Sequence, residues 1–237
     1  MYKLELHCHS QEVSACSHCP APELIAHYKE AGYSGIVSVN HINRDTYRGR
    51  EDWPWEKKAE HFIRGFEALK QAAAGQDLDV LMGCEINLTP VPLLPDELLA
   101  QGWMRYFPND YLVYGVTEDW IYQSGDMRYW TLKELSQRVR EAGFLLVHAH
   151  PFRCDTVVRD PDLFDGYEVF NGNVHHNSHN EMADAWAEMY GKIKTSGSDF
   201  HNPEDHPSGG IVTRERIRDN DALLRVLRGG DYDVLKG

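Results

Sequence analysis

The chain is poor in positive charge and in long apolar runs. Its 24 Lys and Arg residues stand against 37 Asp and Glu, a formal charge of -13. Acidic side chains spread along the whole length disfavour a nucleic-acid backbone or an anionic membrane surface as the main partner, because both repel them. No apolar run approaches the roughly 18 residues that a membrane span requires, and no basic segment followed by an apolar one opens the chain. A cytoplasmic protein with no nucleic-acid and no membrane partner is therefore expected. Cysteine is scarce and odd in number: the five, at 8, 16, 19, 84 and 154, make no disulfide framework and read as reduced thiols. Cys16 and Cys19 form a single C-x-x-C without a second to complete a zinc knuckle, and they read as free thiols of a loop. Internal repeats, low-complexity stretches and shifts in composition are missing as well, so the 237 residues read as a single domain, 1–237, with a substantial core.

Imidazole, by contrast, is abundant, with 13 histidines. Several stand in pairs one residue apart: His7 and His9, His148 and His150, and Asp199 with His201. Each pair follows a short apolar run that reads as a strand, and strand side chains alternate with a period of two, which predicts that both members of a pair share a face. Strands are expected at Tyr2–Leu6, Gly35–Val39, Asp79–Gly83, Tyr111–Val116, Phe144–Val147, Tyr167–Phe170 and Ile193–Ser196. Helical periodicity falls between them, at Pro22–Ala31, Trp55–Ala74, Thr131–Ala142 and Asn180–Tyr190, with a last helix at Asn220–Leu227. Alternation of this kind is the pattern of parallel α/β proteins. The stretch 87–108, with four prolines, reads as a long loop or a short helix pair over one end.

Placed on those strands, His7, His9, His41, Glu85, His150, Asp199 and His201 all fall at C-terminal ends, which form one rim in a parallel barrel. Nitrogen and carboxylate ligands together suit Zn, Mn or Fe(II) better than Ca or Mg. Glu85 is the natural bridging carboxylate, as the only acidic residue ending its strand. No Ser or Cys nucleophile with an adjacent base is evident, so a covalent intermediate is not expected.

The ordered run ELHCHS, VNH, MGCEI, AHPFR and GSDFH resembles the PHP superfamily of metal-dependent phosphoesterases, named for polymerase and histidinol phosphatase. The resemblance extends from Leu4 to about Val212. It implies a distorted seven-stranded (β/α) TIM-like barrel with two or three divalent metal ions in its mouth. It further implies that His7, His9, Glu85 and Asp199 hold a first ion, that Glu85 and His150 help to hold a second, and that His41 and His201 belong to a third. His148 has no counterpart among such ligands. This chain departs from the family pattern in carrying Glu5 for an Asp and Val-Asn-His for Thr-Asp-His. After the expected fourth strand the family's histidine is replaced by Thr117 and Glu118, and Glu118 is a possible oxygen ligand in its place. Glu12, or alternatively His18, stands where a further histidine ligand is expected.

The implied reaction is hydrolysis of a small phosphate monoester by a metal-activated hydroxide, since clustered divalent ions lower the pKa of a shared water and clamp phosphate oxygens. Asp199 or a nearby histidine such as His201 would carry a proton to the leaving oxygen. Arg153, three residues beyond His150, is placed to meet a phosphate with its two-pronged guanidinium, and Arg44 is a weaker candidate of that kind. His175, His176 and His179 are possible substrate contacts in a solvated loop, and Trp53 and Trp55 read as packing on the barrel exterior. Two other readings are an amidohydrolase-type C–N hydrolase on the same metal site and a non-catalytic, metal-retaining binding module.

Overall fold

The computed structural model describes residues 1–89, 109–154 and 156–237. Most of the segment anticipated as a long loop, 90–108, lies outside the described residues. Among those described, the strands are β1 (Tyr2–Cys8), β2 (Gly35–Ser38), β3 (His41–Ile42), β4 (Asp79–Asn87), β5 (Asp110–Tyr114), β6 (Leu145–His148), β7 (Gly166–Asn171), β8 (Ile193–Gly197), β9 (Ile211–Thr213) and β10 (Asp233–Val234). The helices are α1 (Ala21–Glu30), α2 (Trp55–Ala73), α3 (Glu118–Ser124), α4 (Leu132–Glu141), α5 (Asn180–Met189) and α6 (Asn220–Gly229).

Every expected strand and helix is present, and β3, β9, β10 and α3 are additional. The sheet runs β10-β9-β1-β2-β4-β5-β6-β7-β8, with β3 pairing β4. A parallel bridge between Cys8 of β1 and Phe200, just beyond β8, joins those two strands into a nearly closed barrel, with β9 and β10 as an extension beside β1. Two strands break the parallel expectation: β9 runs antiparallel to β1 and β10, and β5 runs antiparallel to both β4 and β6. Its first residue, Asp110, therefore reaches the mouth beside Asn87, while the chain after its last residue leaves at the opposite end.

Alternation along the strands fills the barrel. Leu4, Leu6, Val37, Val39, Leu81, Leu112, Tyr114, Leu145 and Val147 form one buried cluster, and Leu223, Leu224 and Leu227 of α6 close its base. Burying a side chain of this size contributes about 1.5–3 kcal/mol, so this plug is a main source of stability. Asp219 starts α6 by accepting from the amide of Ala222, and Gly230 ends it in the left-handed conformation that glycine adopts without strain. The outward sides of β4 to β7 bury Met82, Cys84, Ile86, Val113, Leu146, Tyr167 and Val169 against Phe62, Ile63 and Phe66 of α2 and Leu135 and Val139 of α4. A capping box at Thr131 and Glu134 fixes the start of α4. Trp55 packs against this outer layer, donating from Nε1 to the carbonyl of Ile121 at 2.7 Å, and Trp53 lies under Lys57.

Two bulges decide what faces the mouth. Pairing of β1 with β2 shifts register between Glu5 and Cys8, and pairing of β7 with β8 shifts between Glu168 and Phe170. An extra residue reverses the parity of the strand beyond it. Leu4 and Leu6 fill the barrel, and the shift after Glu5 lets His7 and His9 take the same side. Glu5 holds this bulge: its Oε1 accepts from the amides of Leu6, His7 and Ser198, and its Oε2 from Tyr28 and Ser198. The longer Glu thus ties β1 to α1 and to the chain after β8.

Candidate metal centre

Five of the residues expected at the rim, His7, His9, His41, His150 and His201, surround the other two, Glu85 and Asp199. Glu85 Oε2 lies 3.3 Å from His7 Nε2, 3.2 Å from His9 Nε2 and 3.1 Å from His41 Nδ1, and its Oε1 lies 3.4 Å from His150 Nε2. Asp199 Oδ1 lies 3.3 Å from His7 Nε2, 3.4 Å from His9 Nε2 and 3.5 Å from His201 Nδ1. The His9 ring lies between those of His41, on which it stacks, and His201, to which it is tilted by 34°, with centroids 4.5 and 4.4 Å away.

Neither oxygen of Glu85 makes a hydrogen bond, although both are buried, and His41 Nδ1 is in the same condition. The Nε2 atoms of His7 and His9 approach to 3.1 Å. A buried carboxylate left without hydrogen bonds costs several kcal/mol, about 3 or more, unless a cation compensates it. Lone pairs converging in this way fit divalent ions. Among the described residues, the potential ligand atoms fall into four overlapping groups: His9, His41 and His201; His7, His9 and Glu85; His7, His150 and Asp199; and His41, Glu85 and Asp110. Mixed imidazole and carboxylate donors suit Zn, Mn or Fe(II).

Electrostatics point the same way. Burial pushes Glu85 and Asp199 up, and the surrounding imidazoles, His41 and His7 foremost for Glu85, reverse this so that both lie well below the ordinary carboxylate range. Burial pushes His7 down, but Glu168, Glu85 and Asp199 together raise it well above its ordinary value. His41 and His201 are lowered to about 3 and about 4, chiefly by burial, which keeps their nitrogens available as ligands. The cluster as a whole demands positive charge.

Backbone strain helps to aim two of these side chains. His150 and Asp199 have φ of 27° and 50°, in the region that non-glycine residues rarely enter. Such conformations cost about 1–3 kcal/mol each and mark functional positions. They also correct the expectation for the second pair. His148 does not share a face with His150: it lies outside the barrel wall, its ring 4.9 Å from that of Phe164 and 5.5 Å from Tyr111. Burial there lowers it to about 3. The left-handed turn at His150 sends that ring into the mouth instead.

Other expected positions fall elsewhere. Glu12 joins none of the ligand groups; its Oε1 accepts from the amide of Ala21 at 2.9 Å and so serves the start of α1. His18, the alternative, lines the mouth and shares a hydrogen bond with Asn202. Glu118 is exposed at the first position of α3, which Thr117 caps, at the far end of the barrel. Asp110 stands at the mouth in its stead, Oδ2 3.8 Å from His150 Nε2, and burial followed by the charge of Glu85 raises it to about 6. Arg153 reaches Asp199 Oδ2 at 2.6 Å and Asn171 Oδ1 at 2.9 Å. Arg44 is exposed and lines a neighbouring groove that shares His41 and Asp110 with the mouth. Cys16 lines the mouth, Cys19 is buried, and both are free thiols.

Sequence reasoning missed Glu168. It is fully buried; its Oε1 lies 2.8 Å from His7 Nδ1, and its Oε2 accepts from the His150 amide and the Asn171 side chain at 2.9 and 3.0 Å. This contact directs His7 Nε2 toward Glu85 and Asp199. The available signal was a lone acid within the apolar strand GYEVFN. Glu168→Gln places an amide N–H either against His7 Nδ1 or against the His150 and Asn171 donors. It is expected to weaken Mn binding about 10–100-fold with the fold kept, checked by titration calorimetry and circular dichroism.

The family model described as PHP-associated matches residues 177–232, which include Asp199 and His201. No curated protein matches the sequence. Among solved structures, the chain is similar to a two-domain protein of Bacteroides vulgatus containing a predicted PHP-like metal-dependent phosphoesterase, with 15% identity and a TM-score of 0.67; the alignment covers 99% of this chain and 64% of that one. A candidate metal-dependent phosphoesterase of Bifidobacterium adolescentis gives 15% identity and a TM-score of 0.55 over 96% of each chain. An amidohydrolase of Chromobacterium violaceum, solved with bound sulfate and no metal, gives 14% and 0.53 over 85% of this chain and 88% of its own. The barrel fold is shared with these proteins, and the chain spans about two thirds of the Bacteroides protein. The PHP-associated match is confined to the C-terminal part of the chain, and the solved structures share its barrel fold.

Proposed function

We propose that the protein is a metal-dependent phosphoesterase acting on a small phosphate monoester. The observation that carries this reading is Glu85, whose two buried oxygens make no hydrogen bond and face the nitrogens of His7, His9, His41 and His150. On this reading two or three divalent ions, Zn, Mn or Fe, are held by His7, His9, His41, Glu85, Asp110, His150, Asp199 and His201. Bound ions of this kind supply an activated water and an electrophilic clamp on phosphate oxygens. The chain's own residues do the rest. Glu168 holds the His7 ring, and Arg153 holds Asp199 with one arm of its guanidinium while presenting the other edge to a phosphate in the mouth. The cavity above the cluster, about 350 Å³, suits a small ester. A protein-sized substrate is not required.

The neighbour named an amidohydrolase motivates a second reading, C–N hydrolysis at the same centre. Elemental analysis followed by a substrate panel with added Mn, Zn or Mg separates the two. Uptake of about two or more ions per chain with turnover of phosphate monoesters is expected. Turnover of cyclic amides alone, or failure to load any of these metals, overturns the phosphoesterase reading. Asp199→Ala, which removes a carboxylate shared by His7, His9 and His201, is expected to abolish metal-dependent activity, read as loss of phosphate release from p-nitrophenyl phosphate.

A further inference from the structure

The metal cluster leaves one chemical task unassigned on the chain, the protonation of the oxygen that departs from phosphorus. His41, His150 and His201 point at carboxylates of the cluster. Asp199 is taken up by contacts with His7, His9, His201 and Arg153. The Cys16 thiol, raised to about 12 by burial and then by Glu85 and Asp199, holds its proton too tightly. His176 is lowered by burial and by Arg153.

His175 differs from all of these. It lines the same cavity as Asp199, His150 and Arg153, yet it is not a member of any ligand group. Its Nε2 lies 3.2 Å from Asp205 Oδ1, with the carboxylate 10% exposed and the imidazole 51% exposed. Asp205 is itself fixed, since its Oδ2 accepts from the amides of His201 and Asn202 at 2.9 and 2.8 Å. A second tie holds the loop: Asn173 Oδ1 accepts from the His175 amide, and Asn173 Nδ2 donates to the Asp199 carbonyl. The imidazole is thereby anchored to the segment that carries Asp199 and His201. With Nε2 on the Asp205 carboxylate, Nδ1 is the ring nitrogen left for a substrate, and imidazole is the side chain most often used in general acid–base catalysis.

We propose that His175, oriented by Asp205, protonates the leaving-group oxygen during ester hydrolysis; the proposal rests on the phosphoesterase reading above. As the P–O bond to the leaving group breaks, its electron pair stays on that oxygen, which takes the proton from His175 Nδ1. A new P–O bond forms to the oxygen of water, and the proton lost by that water returns to the imidazole through solvent. The products are an alcohol and inorganic phosphate. Asp205 is a positioning residue in this scheme.

General acid catalysis matters most when the leaving group is a strong base, which gives the test. Metal-loaded wild type and His175→Gln are compared on benzyl phosphate, a poor leaving group, and p-nitrophenyl phosphate, a good one. The substitution is expected to lower kcat/KM for benzyl phosphate about 100-fold more than for p-nitrophenyl phosphate. Asp205→Asn is expected to change the ratio of the two rates in the same direction, whereas a merely structural role would lower both rates together. Equal losses on both esters, or no loss on either, overturn the proposal. If metal-loaded wild type turns over neither ester, the phosphoesterase reading fails first and the proposal falls with it.

Discussion

Glu85→Gln is expected to lower metal-dependent turnover by at least about 1000-fold without unfolding the protein. The carboxylate sits among the Nε2 atoms of His7, His9 and His150 and Nδ1 of His41, and it belongs to two of the four ligand groups. An amide keeps the shape but not the charge, so neighbouring ions lose the ligand they would share. The metal-free protein should lose stability too, because, against the upward push of burial, the surrounding imidazoles hold the Glu85 carboxylate well below its ordinary range and that contribution goes with the charge. The melting temperature of metal-free Glu85→Gln should therefore fall at neutral pH. What should disappear is the gain on adding Mn, about 2.7 kcal/mol for the wild type when the ion is present at 100 times its Kd. Thermal melts with and without Mn, beside initial rates, check both halves. A variant still stabilised by Mn to the wild-type extent would remove Glu85 from the centre of the site.

Gly197→Ala is expected to damage the fold itself. The added Cβ would lie 2.1 Å from His7 Cβ, 3.0 Å from His7 Cα and 2.9 Å from Glu168 Oε1. Backbone of β1 cannot yield without shifting β1 away from β8, the seam at which the barrel closes. Overpacking of this kind costs about 3 kcal/mol, equivalent to a fall of roughly 6–12 °C in Tm for a chain of this size. His7 moves with the seam, so metal affinity should fall as well. Differential scanning calorimetry measures the first effect and Mn titration at low temperature the second. An unchanged Tm would show that β8 is not pressed against β1 as described.

Much of the site was legible because metal ligands are few in kind and sit where strands end. His7, His9, His41, Glu85, His150, Asp199 and His201 need only their residue types and their positions after apolar runs to be singled out. The misplaced residues fail for identifiable reasons. Asp110 was overlooked because the direction of β5 does not follow from its composition: YLVY reads alike in either sense, and only antiparallel pairing with β4 brings its start to the mouth. Glu118 was considered for the converse reason. Glu12 has the right chemistry, but α1 begins beside it and takes one of its oxygens. His148 obeys the period of two within β6, whereas His150 does not, because a left-handed residue ends that strand.

The amino-acid sequence by itself determined the α/β class, the places of the main strands and helices, and the identity of most candidate ligands, since hydrophobic period and side-chain chemistry are local properties. Which way each ligand faces was decided by the tertiary structure. Parity along a strand survives only until a bulge or a left-handed residue intervenes, and this barrel has bulges before His7 and after Glu168 and left-handed residues at His150 and Asp199. Each is held by contacts from distant parts of the chain, such as Glu5 with Ser198 and Glu168 with His7, and no local pattern encodes them.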